Sequence, residues 1–260
     1  MISFLITHYN RPKSLKLCIQ SIRSMNLKIN HEIIVSDDCS KRSNIDLINK
    51  LHIDKLVLSP INTGLASNIN RGIKECDGDY IVYIQEDFGL NDQFSVMIDE
   101  ILDILTKEKA EMIRLRSNLK FKDYNLLTKQ IKLIPRFSLR NFLVDHYRYS
   151  DHPFVVKKSF FCKYGKYKEN VNTIHGEDEY MIRMMKLNPK IALVKNECVD
   201  GIDKEGTVRE ELRNVNKNKL RHKNFVKPLK RIVNSLRFKF EYIFYNPKKR
   251  TLLTIKNLRK

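Results

Sequence analysis

Residues 62–88 read NTGLASNINRGIKECDGDYIVYIQEDF, and the order of residue types in this stretch decides the fold class. After a turn at 61–64, residues 66–75 read as a helix. Cys76-Asp77-Gly78-Asp79 reads as a turn, and residues 80–84 as a buried apolar strand that runs into Gln85, Glu86 and Asp87. Upstream the pattern recurs. Residues 2–6 (ISFLI) form an apolar run, Asn10-Arg11-Pro12 breaks it, and Leu15, Cys18, Ile19, Ile22 and Met25 follow at helical spacing. Residues 32–35 read as a second strand ending in Ser36-Asp37-Asp38, 45–51 as a helix and 55–58 as a third strand. Strands alternating with helices predict an α/β fold, Rossmann-like, with a mostly parallel sheet covered on both faces. Such sheets bind ligands beyond the carboxyl ends of their strands. Thr7 to Arg11, Asp37 with Asp38, and Gln85 to Asp87 all fall at those ends.

Downstream, residues 92–107 predict a helix with Phe94, Ile98, Ile101, Leu102 and Leu105 inward, followed by a strand at 112–115. Residues 118–150 show no clean period and read as an irregular insert or lid. After His152-Pro153-Phe154-Val155-Val156, the run Ile174-His175-Gly176-Glu177-Asp178-Glu179 is expected to open a helix with Tyr180, Met181, Met184 and Met185 inward. One acid in a first helical turn is favoured by the helix dipole alone, but three in a row exceed that need. A strand at 191–194 closes the globular part near Asp200 and Asp203.

The chain has 260 residues and a net charge of +19. Residues 215–260 hold fifteen Lys or Arg against the single acid Glu241, so that segment carries +14 and residues 1–214 only +5. A boundary is therefore expected near 214, with a nearly balanced domain before it and a basic tail after it. In the tail Leu229, Ile232, Val233, Leu236, Phe240, Ile243 and Phe244 share one face of a helix starting after Pro228, with Lys230, Arg231, Arg237 and Lys239 opposite. Three readings stand: a helix lying in the interface of an anionic membrane, an apolar face docked on the domain with its cations solvated, or a phosphate-binding arm. The large apolar residues argue against the arm, so no nucleic acid is expected as a partner. No apolar run approaches the roughly 20 residues of a bilayer span, and no signal peptide is visible. Five scattered cysteines without a CxxC pair argue against a disulfide framework or zinc site and for a reducing, cytoplasmic location.

These motifs resemble those of the inverting family 2 glycosyltransferases of GT-A fold. FLITHYNRPKSLKLCIQSI at 4–22 looks like that family's first strand, nucleotide-contacting loop and helix; IIVSDDCS at 33–40 like its second strand; residues 62–88 like the segment ending in its metal-binding DxD; and GEDEYM at 176–181 like its late ED motif. The resemblance covers residues 1–90 and 150–205. It implies that Thr7, Tyr9 and Arg11 line a base and phosphate pocket and that Asp38, with Asp37, contacts the nucleoside. It further implies that Asn62 and Asn68 fix loops beside the nucleotide. At the DxD position the chain reads Gln85-Glu86-Asp87, so Asp87 would hold Mg²⁺ or Mn²⁺, with Gln85 and Glu86 beside the donor sugar. Asp200 and Asp203 are the only acids where the family often carries a metal-binding His.

The resemblance implies hexosyl-type transfer from a nucleoside diphosphate, UDP foremost, to a hydroxyl of a saccharide or lipid-linked acceptor. Asp178 would be the base and Glu177 the runner-up, with His175 in reach of substrate. Surface-polysaccharide synthesis at the cytoplasmic face of a membrane, the enzyme bound peripherally, is the matching setting. Two other functions stay open. A sugar-nucleotide pyrophosphorylase would need a glycine-rich phosphate loop, which residues 8–12 lack. A non-catalytic nucleotide-sugar-binding module is allowed by Gln85 and opposed by intact Asp87 and Asp178.

Overall fold

The computed structural model describes residues 1–169, 173–202 and 226–244, with the side chains of 173–175 and 226–230 outside the described set. The first half alternates as expected: β1 (Ile2–His8), α1 (Pro12–Arg23), β2 (His31–Asp37), α2 (Arg42–Ile48), β3 (Lys55–Leu58), α3 (Leu65–Glu75) and β4 (Tyr80–Gln85). The second half comprises β5 (Phe88–Leu90), α4 (Asp92–Thr106), β6 (Met112–Arg114), β7 (Asn125–Leu126), β8 (Ile131–Leu133) and β9 (Phe154–Lys157). It continues with α5 (Phe160–Tyr164), α6 (Thr173–Leu187), β10 (Ile191–Val194), β11 (Val199–Gly201) and α7 (Val226–Phe244).

The main sheet runs β3-β2-β1-β4-β9-β6-β10-β8-β7. Its first four strands are parallel, and β9 enters antiparallel between β4 and β6. Alternate residues of β4 face opposite cores: Val82 and Ile84 pack with α1, α2 and α4, Ile81 and Tyr83 with α3, α5 and α6. Burial on both faces explains why β4 reads as an unbroken apolar run rather than an alternating one. Register sets the working edge, because Thr7 lies opposite both Ser36 and Gln85. The loops after β1, β2 and β4 therefore leave the sheet at one level.

Four expectations change. The stretch 118–150 is not wholly irregular: β7 and β8 form a hairpin that β10 joins to the main sheet, with Phe121, Ile134 and Leu193 in a small core of their own. Two strands of two and three residues are too short to leave a period in sequence. The pair β5–β11 was likewise not expected. Helix α6 begins at Thr173, so Glu177 and Asp178 lie beyond the first turn, where the dipole assists an acid less.

The tail helix is the largest difference. It docks, but not through its apolar face: Ser235 and Phe238 are buried, whereas Ile232, Val233, Leu236, Phe240, Ile243 and Phe244 are between 41% and 67% exposed. Nor are its cations simply solvated, since Arg237 pairs with Asp178 at 2.9 Å and Lys239 with Asp145 at 2.8 Å. The expected boundary at 214 and Asp203 lie outside the described residues, as do the residues on either side of α7.

Candidate active site

A cleft of about 490 Å³ opens where β1, β2 and β4 end, lined among others by Thr7, Tyr9, Arg11, Asp38, Asn62, Asn68 and Gln85 to Asp87. Each side chain arrives there for a local reason. Thr7, the last residue but one of β1, meets the Tyr83 hydroxyl at 3.3 Å across the sheet. The chain then turns through Asn10, whose positive φ of 57° suits Asn better than most residues. Pro12 starts α1, where its missing N–H costs nothing. Between them Tyr9 stands half exposed on the cleft wall and Arg11 comes within 3.7 Å of Glu86.

The two aspartates after β2 take different directions. Asp37 turns into the protein: its Oδ2 accepts from His8 Nδ1 at 2.7 Å and from Ser40 Oγ at 2.5 Å, and its Oδ1 accepts from the Ser40 amide at 2.8 Å. Because His8 Nε2 accepts the Arg11 amide at 3.0 Å, the ring proton sits on Nδ1 and the imidazole is neutral. Burial alone would raise the Asp37 carboxyl, but the hydrogen bonds from His8 and Ser40 outweigh it and hold the group below the usual range. Asp38 faces the cleft and organises its rim, accepting from the Thr63 amide at 2.9 Å, the Gly64 amide at 2.7 Å and Arg71 Nη2 at 3.3 Å. Asn68 is clamped between Ser36 Oγ at 2.6 Å and Arg71 at 3.2 Å, and Asn62 donates to the Asp38 carbonyl at 3.3 Å.

On the far wall Glu86 and Asp87 put two carboxylates on one cleft. Burial raises Glu86 to about 7; the charge of Asp87 adds to this, while Arg11 opposes it. Two hard oxygen donors suit a divalent cation that completes its shell with phosphate oxygens and water. Among the described residues no group of three or more His, Cys, Asp and Glu could hold a metal on its own. The residues therefore fit a cation carried in with a diphosphate better than a permanent one. Asp200 does not line the cleft and accepts instead from Asn91 Nδ2 at 3.2 Å.

Beyond Gln85, whose Nε2 reaches the Asp151 carbonyl at 3.4 Å, Glu177 lines the gap beside Leu65 and Asp151. It also lines an adjoining cavity of about 270 Å³ with Arg114, Tyr147, Ser150 and His152. Burial and the charge of Asp151 push Glu177 well above the usual carboxylate range. Asp178, its neighbour, points toward α7 and Arg237. Both carboxylates are felt by Tyr147, whose phenol is raised by burial, then by Asp178, then by Glu177. The side chain of His175 is outside the described residues.

The sequence reading missed His8, Arg71, Arg114 and Asp151. His8 was the most accessible of these, since the register of β1 on β2 sets it directly opposite Asp37. Arg114 carried no signal: it sits in an apolar strand, where it donates to the Tyr147 carbonyl at 2.7 Å and Ser150 Oγ at 2.7 Å, and burial lowers its pKa to about 10.

The sequence model of the family described as glycosyl transferase family 2 matches residues 3–169. An uncharacterized glycosyltransferase of Haemophilus influenzae is 31% identical over 140 residues, 52% of each chain, so this chain spans about half the length of the curated relative it matches. Among solved structures, S. aureus TarS 1–349 in complex with UDP-GlcNAc superposes with a TM-score of 0.57 at 12% identity, covering 79% of this chain and 59% of that one. S. aureus TarS gives 0.59 at 11% identity over 95% and 44%. At such identities the likeness is one of fold: a mixed α/β domain around a large, mostly parallel sheet.

Proposed function

The chain belongs to glycosyl transferase family 2, and from that premise we propose that it moves a sugar, with inversion, from a uridine diphosphate donor to a hydroxyl of a saccharide or lipid-linked acceptor. The observation that carries the reading is the closeness of two spaces. Leu65, on the wall of the 490 Å³ cleft at the strand ends, also lines a small gap with Asp151 and Glu177, and Glu177 in turn lines the 270 Å³ cavity. Donor and acceptor thus have adjoining rooms with carboxylates at the junction. The choice of uridine is supported by TarS, a protein of similar fold crystallised with UDP-GlcNAc and with UDP.

In this reading Tyr9, Asp38 and Asn68 bound the nucleoside, and Arg11 meets the diphosphate. Glu86 and Asp87 would hold Mg²⁺ or Mn²⁺, which supplies positive charge against the departing diphosphate. The acceptor hydroxyl loses its proton to a carboxylate as its oxygen bonds to the anomeric carbon and the bond to the diphosphate oxygen breaks. Asp178 takes that proton. Glu177 holds its own proton to higher pH than an ordinary glutamate, which makes it the poorer base near neutrality and suits it to donate a hydrogen bond to sugar. A surface-polysaccharide precursor would be a fitting acceptor.

The experiment is a calorimetric panel of UDP, GDP, dTDP and CMP with and without Mn²⁺, followed by transfer assays with the donors that the best binder defines. Cation-dependent binding of UDP is expected. A folded protein that binds none of the four would reject the donor site and leave the non-catalytic module standing.

A further inference from the structure

Helix α7 presents an unusual combination. Its docked side is anchored at five residues: Phe238 stacks on His146 at 4.5 Å, Ser235 Oγ donates to the Phe142 carbonyl at 2.8 Å, Arg237 and Lys239 form their ion pairs with Asp178 and Asp145, and Tyr242 packs edge-on against Phe137 at 5.6 Å. That anchoring fixes the helix's rotation. The opposite side therefore exposes Ile232, Leu236, Phe240 and Ile243 in a line, with Val233 and Phe244 flanking it, along a helix about 28 Å long. Burying these residues inward would have taken a half turn; the structure instead spends the aromatic and charged side on docking. On the segment that α7 packs against, Phe142 lies with Lys239 Nζ 4.1 Å above its ring, and Leu139 is 94% exposed. A row of large exposed apolar side chains along one helix marks an interaction site.

The geometry points to the surface of an anionic lipid bilayer as its occupant. Charge decides among the candidates. Residues 215–260 carry fifteen cations against one acid, and Arg231 stands exposed on α7 itself. A second copy of this chain would bring one +14 segment against another, which like-charge repulsion opposes. An anionic lipid surface attracts them, with each Lys or Arg near it contributing about 1 kcal/mol. An exposed apolar stripe on a helix that belongs to a strongly basic segment is the pattern of a helix lying in the interface plane. Among the described residues no helix is long and apolar enough to cross a membrane, so the contact is lateral. The docked helix also bears on the site: Arg237, on α7, holds Asp178. For a lipid-linked acceptor, a consequence that rests on the proposed transfer reaction, the bilayer would then lie on the Asp178 side of the domain.

The test is co-sedimentation of the full chain with phosphatidylcholine vesicles and with vesicles containing phosphatidylglycerol at about one third, using the wild type, Leu236→Glu, Phe240→Glu and the control Val96→Glu, an exposed apolar residue on α4. Wild type and control should bind the anionic vesicles at least about tenfold more strongly than the neutral ones, and each α7 variant should lose at least about tenfold. Absence of binding to anionic vesicles overturns the assignment. So does binding that the α7 variants leave unchanged, or light scattering that shows a dimer broken by Leu236→Glu without lipid. UDP calorimetry on the same samples separates the two readings: vesicle binding that depends on Leu236 and Phe240 supports the lipid surface whether or not UDP binds.

Discussion

Asp37 and Asp38 are adjacent and identical in chemistry, yet one backbone step sends the first into the protein and the second onto the cleft rim. The strand end supplies the reason: β-strand residues alternate sides, and His8, opposite Asp37 in register, offers a ring proton on the inner side. Asp37 is therefore a positioning residue that acts through His8 on the Arg11 loop. Its carboxyl lies below the usual range, so the stability it contributes is full above the unfolded value near 3.9 and is lost as pH falls through the lower folded value. Asp37→Asn should cost about 1–3 kcal/mol at pH 7. The difference from wild type should shrink toward pH 3 in thermal melts, and UDP affinity should fall as the loop relaxes. Asp178 lies next to Glu177 in the chain and pairs with Arg237 of α7. Asp178→Asn should reduce transfer by about 100-fold or more while leaving UDP binding intact; transfer at the wild-type rate would move the base to Glu177, whose Gln variant completes the pair.

At the scale of elements, helix α3 packs so closely on β1 that a glycine is required. A Cβ at Gly72 would lie 2.2 Å from Leu5 Cδ1, and Leu5 is fully buried, so its side chain would have to repack within the core. Helix propensity predicts that Gly72→Ala gains nearly 1 kcal/mol; overpacking predicts a loss of about 1–3. The approach is far inside van der Waals contact, so the loss should win. Urea midpoints should fall for Gly72→Ala and recover in part when Leu5→Val makes room. Sequence periodicity had placed α3 and β4, because both are long enough to repeat a pattern against two cores. It placed α7 as a helix too, but not its rotation. Amphipathicity shows that a helix has two unlike sides, and the docked side was chosen here by Asp145, Asp178 and His146, which arrive from distant parts of the chain.

Across the whole molecule, what was legible was whatever the chain writes locally: alternation of strand and helix, polar residues at strand ends, and the net charge of 215–260. The hairpin at β7–β8, the buried Arg114 and the neighbourhood of Glu177 were not, because long-range contacts made them. The acid–base balance of the fold is of this second kind, and it yields a prediction of sign. Burial raises Glu86 to about 7, so between roughly pH 4.5 and 7 the folded state binds more protons than the unfolded one, and stability falls as pH rises through that window. Glu177 pushes in the same direction. Asp37 works oppositely at the acid end, and His146 and His152, whose pKa values burial lowers, work oppositely below the ordinary His value near 6.5. Melting temperatures should therefore drop between about pH 6.5 and pH 8 in the wild type, and Glu86→Gln should flatten much of that drop, gaining stability at pH 8 and little at pH 5. A cation with UDP favours the ionised carboxylate, so Mn²⁺–UDP should bind more tightly as pH rises through about 7 in the wild type. That pH dependence should vanish in Glu86→Gln; a variant that retains it would show that Glu86 does not face the bound cation.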